Sequence, residues 1–67
     1  MSVGMNIKLR RIALKIPQME MAEKLGVSAA MISQIEQDRK NPPLMLCKGI
    51  ADILGCSVDD LLSGKSA

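Results

Sequence analysis

The 67-residue sequence contains no phenylalanine, tyrosine, tryptophan or histidine. Without aromatic rings the core has to be filled by Leu, Ile, Val, Met, Ala and Cys, and the six methionines are expected to serve as flexible gap-fillers. Lack of histidine removes the usual general base and the commonest metal ligand. The two cysteines, Cys47 and Cys56, are too few and too far apart for a metal site, so no metal or other cofactor is expected. A single disulfide is formally possible, but both fall on apolar faces, which favours buried, reduced thiols in a cytosolic protein. There is no glycine-rich phosphate loop and no nucleophile beside a base, and the carboxylates lie at helix ends, where capping explains them. An enzyme is therefore excluded as the reading. No apolar run approaches the roughly 20 residues of a membrane span. Lys8, Arg10, Arg11 and Lys15 interrupt the N-terminal apolar residues, unlike the uninterrupted stretch of a secretory signal. Repeats, low-complexity stretches and the alternating pattern of strands are absent too.

What remains is a short chain, 48% hydrophobic and 24% charged, with the balance of a folded domain. At this length a chain buries only about 60% of the surface it exposes when unfolded, so one thin core and one domain over 1–67 are expected. The net charge of +2 is unevenly spread: residues 1–17 hold four basic side chains and no acid, Arg39 and Lys40 form a second basic spot, and Asp52, Asp59 and Asp60 lie near the other end. An electropositive end suits an approach to phosphate, although a solvated face gives the same counts.

Apolar spacing and punctuation predict five helices. The first covers about 5–15, with Ile7, Leu14 and Arg11 on one face, and Pro17 stops it or opens the next. The second runs about 17–25, with Met21, Ala22 and Leu25 inward, and Gly26 ends it in a left-handed turn. Ser28 caps a third helix over about 28–37, flanked by Val27 and Ile32 at the spacing of a hydrophobic staple. After the polar loop 38–43 a fourth helix spans about 43–54, with Leu44, Cys47, Ala51 and Leu54 inward and Gly55 as its stop. Ser57 and Asp60 form a capping box for a fifth helix carrying Leu61 and Leu62, and 64–67 is tail. The folded core is expected over about 5–63.

Two helices joined by a short glycine-bearing turn make a helix-turn-helix when they cross steeply. Residues 18–37 have what that corner needs: small Ala22 where the helices approach, Gly26 in the turn, and Val27, Ile32 and Ile35 inside. The run Gln18-x-x-Met21-Ala22-Glu23-Lys24-Leu25-Gly26-Val27-Ser28-x-x-x-Ile32-Ser33-Gln34-Ile35-Glu36, followed by Arg39-Lys40-Asn41-Pro42, resembles the lambda-repressor/Cro-type (XRE-like) helix-turn-helix family of prokaryotes and phages. The likeness continues through Ile50-Ala51-x-x-Leu54-Gly55-x-Ser57-x-Asp59-x-Leu61-Leu62 and covers about residues 7–62.

That resemblance implies an all-α, compact five-helix DNA-binding domain. It implies a cytoplasmic, sequence-specific regulator of transcription, a repressor by the family's habit, binding a double-stranded DNA operator as a homodimer on half-sites about 34 Å apart. No small-molecule site is evident. In the family's pattern Gln18 opens the second helix against a phosphate. Ser28, Ala29, Ala30, Ser33 and Gln34 face the groove; Gln34 is the best base reader because its amide pairs bidentately with adenine. Ser28 or Ser33 suits a base or a phosphate, and Ala29 and Ala30 offer a methyl group or simply room. Arg39, Lys40 and Asn41 belong to the phosphate-holding loop, while Arg11 and Glu36 match a structural pair bridging the first and third helices.

The chain departs from the family in ways that bear on function. Pro17 and Pro43 replace caps, Asp38 stands at a common glycine position, and Arg10, Ile12 and Leu14 alter the first helix. The recognition surface has no Arg or Lys, the usual readers of guanine, so affinity leans on phosphates and DNA shape. Met19, Met45 and Leu46 are apolar at positions usually exposed, which suggests a protein interface. Two alternatives therefore stand beside the regulator: a DNA-binding antitoxin, and the same fold used as a protein-protein interaction module.

Overall fold

Each helix starts and stops for a local chemical reason. The computed structural model describes residues 2–63 and folds them into α1 (Val3–Ala13), α2 (Gln18–Leu25), α3 (Ala29–Glu36), α4 (Leu44–Leu54) and α5 (Val58–Ser63), with no strand among those residues. The tail expected over 64–67 lies outside the described residues. Ser2 Oγ accepts the Met5 amide at 3.1 Å and Asp38 Oδ1 accepts the Gly4 amide at 3.1 Å, so two first-turn donors of α1 are satisfied. That double cap starts α1 ahead of the expected residue 5. Ser28 Oγ accepts from Met31 N at 3.1 Å to open α3. At α5 the capping box is reciprocal: Asp60 N donates to Ser57 Oγ at 3.0 Å and Ser57 N to Asp60 Oδ2 at 3.3 Å. Pro17 and Pro43 precede α2 and α4 with no side-chain cap, in extended backbone that turns directly into the helix.

Four helices end by one device, a left-handed residue whose amide and the next fold back onto the last carbonyls. Gly26 N bonds Glu23 O and Val27 N bonds Ala22 O; Gly55 and Cys56 repeat this on Asp52 and Ala51. Lys15 and Cβ-bearing Asp38 do the same at the ends of α1 and α3, at φ of 59° and 60°. A side chain there costs about 1–2 kcal/mol against glycine, partly offset by the entropy glycine loses on folding. The exposed Lys15 side chain makes no hydrogen bond or ion pair among the described residues, so Lys15→Gly is expected to stabilise the fold by about 1 kcal/mol. For a domain this small that is a rise in melting temperature of about 4–8 °C.

The core joins all five helices: Ile7 of α1, Met21 of α2, Ile32 and Ile35 of α3, Ile50 of α4 and Leu61 of α5 are fully buried together. α2 packs on α3, α1 lies against α3 and α5, and α4 closes beneath α2 and beside α5. Among these apolar side chains sits Asn6, also fully buried. Its Nδ2 donates to the carbonyls of Asp60 at 2.8 Å and Leu61 at 3.1 Å, and its Oδ1 accepts from Arg10 Nε at 2.9 Å. A polar side chain is tolerated there because its donor and its acceptor are both matched, the amide nitrogen to carbonyls of α5 and the amide oxygen to Arg10.

Several inward positions are corrected. Leu14 is exposed, because α1 ends at Ala13 and the Lys15 turn hands the inward role to half-buried Ile16. Leu44 shares a face with Cys47 and Ala51 but is the first residue of α4, where it stands exposed; Ile50 fills the interior instead. Leu46 is half-buried against the core rather than exposed. Among the described methionines Met21 fills the interior and Met31 packs at its edge, whereas Met5, Met19 and Met45 face solvent. Both cysteines are free thiols; Cys47 is buried and Cys56 half-buried, and burial pushes the Cys47 pKa up.

Candidate nucleic-acid interface

Gly26, Val27 and Ser28 make the corner between α2 and α3. The left-handed Gly26 turns the chain, Val27 packs on the core, and Ser28 caps the second helix of the pair. Once Ile32, Ile35 and Glu36 are buried, helical periodicity decides what α3 presents on its other side. Ala30 and Gln34 lie exposed there, Ser28 stands exposed at the tip, and Ala29 and Ser33 sit half-buried at the margin. Gln34 makes no side-chain hydrogen bond among the described residues, so its amide is free to engage a partner.

Sequence reasoning missed Gln37. It follows Glu36, three residues after Gln34 and seven after Ala30, and is exposed on the side those two define. Its Nε2 donates to Ser33 Oγ at 2.9 Å. The i, i+4 spacing from Ser33 was the available signal; it was hidden because the residue lies just past the apolar periodicity that marks the helix.

Behind the exposed face, one carboxylate gathers three elements. Arg11 Nε lies 2.6 Å from Glu36 Oε2 and Arg11 Nη2 3.0 Å from Oε1, a two-pronged bridge between α1 and α3. The third guanidinium nitrogen, Nη1, donates to Ile16 O at 2.8 Å. Gln18 Nε2 donates to Glu36 Oε1 at 2.9 Å, which ties the first residue of α2 to the same group. Both ion-pair side chains are nearly buried, so screening by water is weak and the geometry is held. Gln18 is thus half-buried with one amide proton engaged, and its second amide proton and its backbone N–H at the helix start remain for an anion.

Arg39, Lys40 and Asn41 are exposed in the loop after α3. Arg39 N bonds Gln34 O at 2.9 Å and Asp38 N bonds Ile35 O at 3.1 Å, which pins the start of this loop to the end of α3. Asp38 also grips the Gly4 amide. The cations therefore follow a pinned stretch of backbone beside the exposed face, and among the described residues no carboxylate is bridged to either. A surface ion pair, Lys24 with Glu20 at 3.7 Å, lies on α2 and contributes little. Met19 is exposed next to Gln18, whereas Met45 borders a shallow apolar groove with Leu25, Val27, Met31 and Leu46 at the far end of α2. The apolar positions singled out in the sequence are therefore not one patch. Among the described residues no helix is long and apolar enough to cross a membrane, and no cluster of metal-ligating side chains occurs.

Five helices with this corner and this exposed second helix define a lambda-repressor-like domain, and the chain belongs to the helix-turn-helix family, whose profile matches residues 7–61. The immunity repressor protein of Bacillus phage phi105 is 37% identical over 66 residues, covering 98% of this chain and 46% of the relative. The chain thus spans about half the length of that curated relative. Among solved structures, the P22 c2 repressor in complex with a synthetic operator superposes with a TM-score of 0.92 at 35% identity, over 97% of this chain and 98% of that one. SinR, described as the master regulator for biofilm formation and solved in complex with DNA, superposes with a TM-score of 0.81 at 32% identity, over 88% and 95%.

Proposed function

We propose that this chain is a sequence-specific, double-stranded DNA-binding regulator of transcription, a repressor, that inserts α3 into the major groove as a homodimer and acts in the cytoplasm without catalysing a reaction. The observation that carries this reading is the free face of α3, with Ala30 and Gln34 exposed and the cations Arg39 and Lys40 exposed in the loop pinned to its end. Its relatives support it: the P22 c2 repressor and SinR were solved with DNA. In this reading Gln34 reads a base, and Ser28, Ala29, Ala30 and Ser33 line the contact. Gln18, Arg39, Lys40 and Asn41 hold phosphates, with Arg11 and Glu36 as the internal brace. Exposed Met45 and Leu44 at the start of α4 give the second copy an apolar surface to meet.

Selection from a random duplex library tests the whole reading. The expected winner is a pseudo-palindrome with half-sites about 34 Å apart, bound less tightly as salt rises. Gln34→Ala is expected to lose about 1–3 kcal/mol of discrimination at one base pair of each half-site. Lys40→Ala is expected to weaken every sequence alike and to reduce the salt slope by about 1. Binding with no preferred sequence and no salt dependence would shift the assignment to the protein-interaction module, for which the alanine-bearing face and exposed Met45 are suited.

A further inference from the structure

We propose that the outward face of α1 is a docking site for an acidic amphipathic helix of a partner protein, seated on Met5, Leu9 and Ile12 and selected by Lys8. None of these residues belongs to the DNA contacts assigned above, so the two readings stand or fall separately.

Three large apolar side chains of α1 are left half uncovered by the fold. The helix turns Gly4, Ile7 and Arg11 inward and Asn6 toward α5. Met5, Leu9 and Ile12 stand on the opposite side, 43%, 46% and 50% exposed. Their spacing, four residues and then three, is that of a coiled-coil seam. At about 100° per residue the three fall within about 60° of one another. A stripe that narrow suits one helix laid along it, whereas a core or a bilayer takes a broader apolar face. Ile12, one of the residues by which α1 departs from the family's pattern, completes the stripe.

Charge decides the occupant. Residues 1–17 hold four cations and no acid. In the heptad register that puts Met5 and Ile12 at d and Leu9 at a, Lys8 takes the flanking g position, where residues set partner choice. Lys8 is exposed, and so is Lys15 in the turn just past the helix end. The e positions hold uncharged Asn6 and Ala13. A second copy of α1 is therefore a poor occupant. In a parallel pair g meets e, so Lys8 faces Ala13 and gains no ion pair; in an antiparallel pair g meets g, and lysine faces lysine. A partner helix with its own apolar seam and Glu or Asp along the edge satisfies both features. Its apolar residues cover Met5, Leu9 and Ile12, and its carboxylates reach Lys8 and Lys15. Two helical turns make a small contact, which suits a transient encounter.

The test is an NMR titration of the isotopically labelled chain with two synthetic peptides, each about three heptads long. Both carry leucine at a and d; one has glutamate at every e and g position, the other lysine, and the like charges keep each from pairing with itself. The glutamate peptide is expected to shift the amide signals of Met5, Lys8, Leu9 and Ile12, and to bind about tenfold more tightly than the lysine peptide. Leu9→Ser is expected to weaken that binding about fivefold, and Lys8→Glu to lose most of the preference for glutamate over lysine. Both residues are exposed, so each variant is expected to keep its thermal melt. Equal binding of the two peptides overturns the proposal, as do shifts centred on Met45 and Leu46 instead, or tighter association with phosphatidylserine vesicles than with the glutamate peptide. Sedimentation of the chain alone tests the remaining occupant: concentration-dependent association that Leu9→Ser abolishes would make it a second copy and overturn the proposal too.

Discussion

Glu36→Ala is expected to destabilise the domain by about 3–5 kcal/mol, because it leaves a guanidinium buried without its counter-charge. The Arg11 side chain is 10% exposed and the Glu36 side chain 2%. The carboxylate accepts from Arg11 Nε, from Arg11 Nη2 and from Gln18 Nε2, so its removal strands donors on α1 and α2 together. Ile16 O alone continues to hold the guanidinium. Against a total stability of about 5–15 kcal/mol for an ordinary domain, and with a core this thin, the variant should be substantially unfolded at physiological temperature. Urea denaturation followed by circular dichroism measures the loss; a change below about 1 kcal/mol would show that the cation finds water or another acceptor. The double replacement Arg11→Met with Glu36→Leu removes both charges and is expected to recover most of the stability. It does not restore the anchor for Gln18. If Gln18 holds a phosphate in the geometry Glu36 gives it, the double variant should fold well and still bind DNA more weakly, which separates the brace's structural role from its functional one.

How much of this was legible beforehand depended on whether the information is local. The three turns closed by Gly26, by Gly55 and by the Ser57–Asp60 box are written in neighbouring residues, and the sequence read them in place. The position of Asp38 as a glycine substitute was also visible, and its φ of 60° gives that departure a physical form. Its second role, capping Gly4 from 34 residues away, was not, because nothing in either neighbourhood refers to the other. Asn6 was hidden for the same reason: it answers carbonyls of α5, at the opposite end of the chain. Leu14 and Leu44 failed differently. Apolar periodicity tells which face a residue occupies but not where the covering element stops, and both residues lie at a helix end. In the candidate site the groove-facing positions follow from the buried ones, since fixing Ile32, Ile35 and Glu36 inward fixes Ala30 and Gln34 outward. Gln37 escaped because the exposed face continues one residue past the pattern that revealed it.

Gly4→Ala is expected to lose about 2 kcal/mol, whereas Gly49→Ala, the same change in the middle of α4, should be close to neutral. Both glycines lie within helices, where alanine would ordinarily gain about 1 kcal/mol. Their surroundings decide the sign. A Cβ on Gly4 would run into the Ile35 and Glu36 carbonyl oxygens and the Asp38 carboxylate, the first of these the closest. Two of the three are backbone atoms at the end of α3, so relief requires α1 to move off α3, at about 1–3 kcal/mol or more. A Cβ on Gly49 would instead meet only Leu25 Cδ2, at 2.6 Å, the tip of a side chain that can change rotamer. Thermal melts of the two variants compare them directly, and equal effects would mean that the contact of α1 with α3 is softer than its geometry implies. The displacement also has a direction. It pushes on Asp38, whose grip on the Gly4 amide steadies the loop bearing Arg39 and Lys40. Gly4→Ala is therefore expected to weaken DNA binding on all sequences alike at a temperature where the variant is still folded, while the base preferences set by the exposed face of α3 stay as they are.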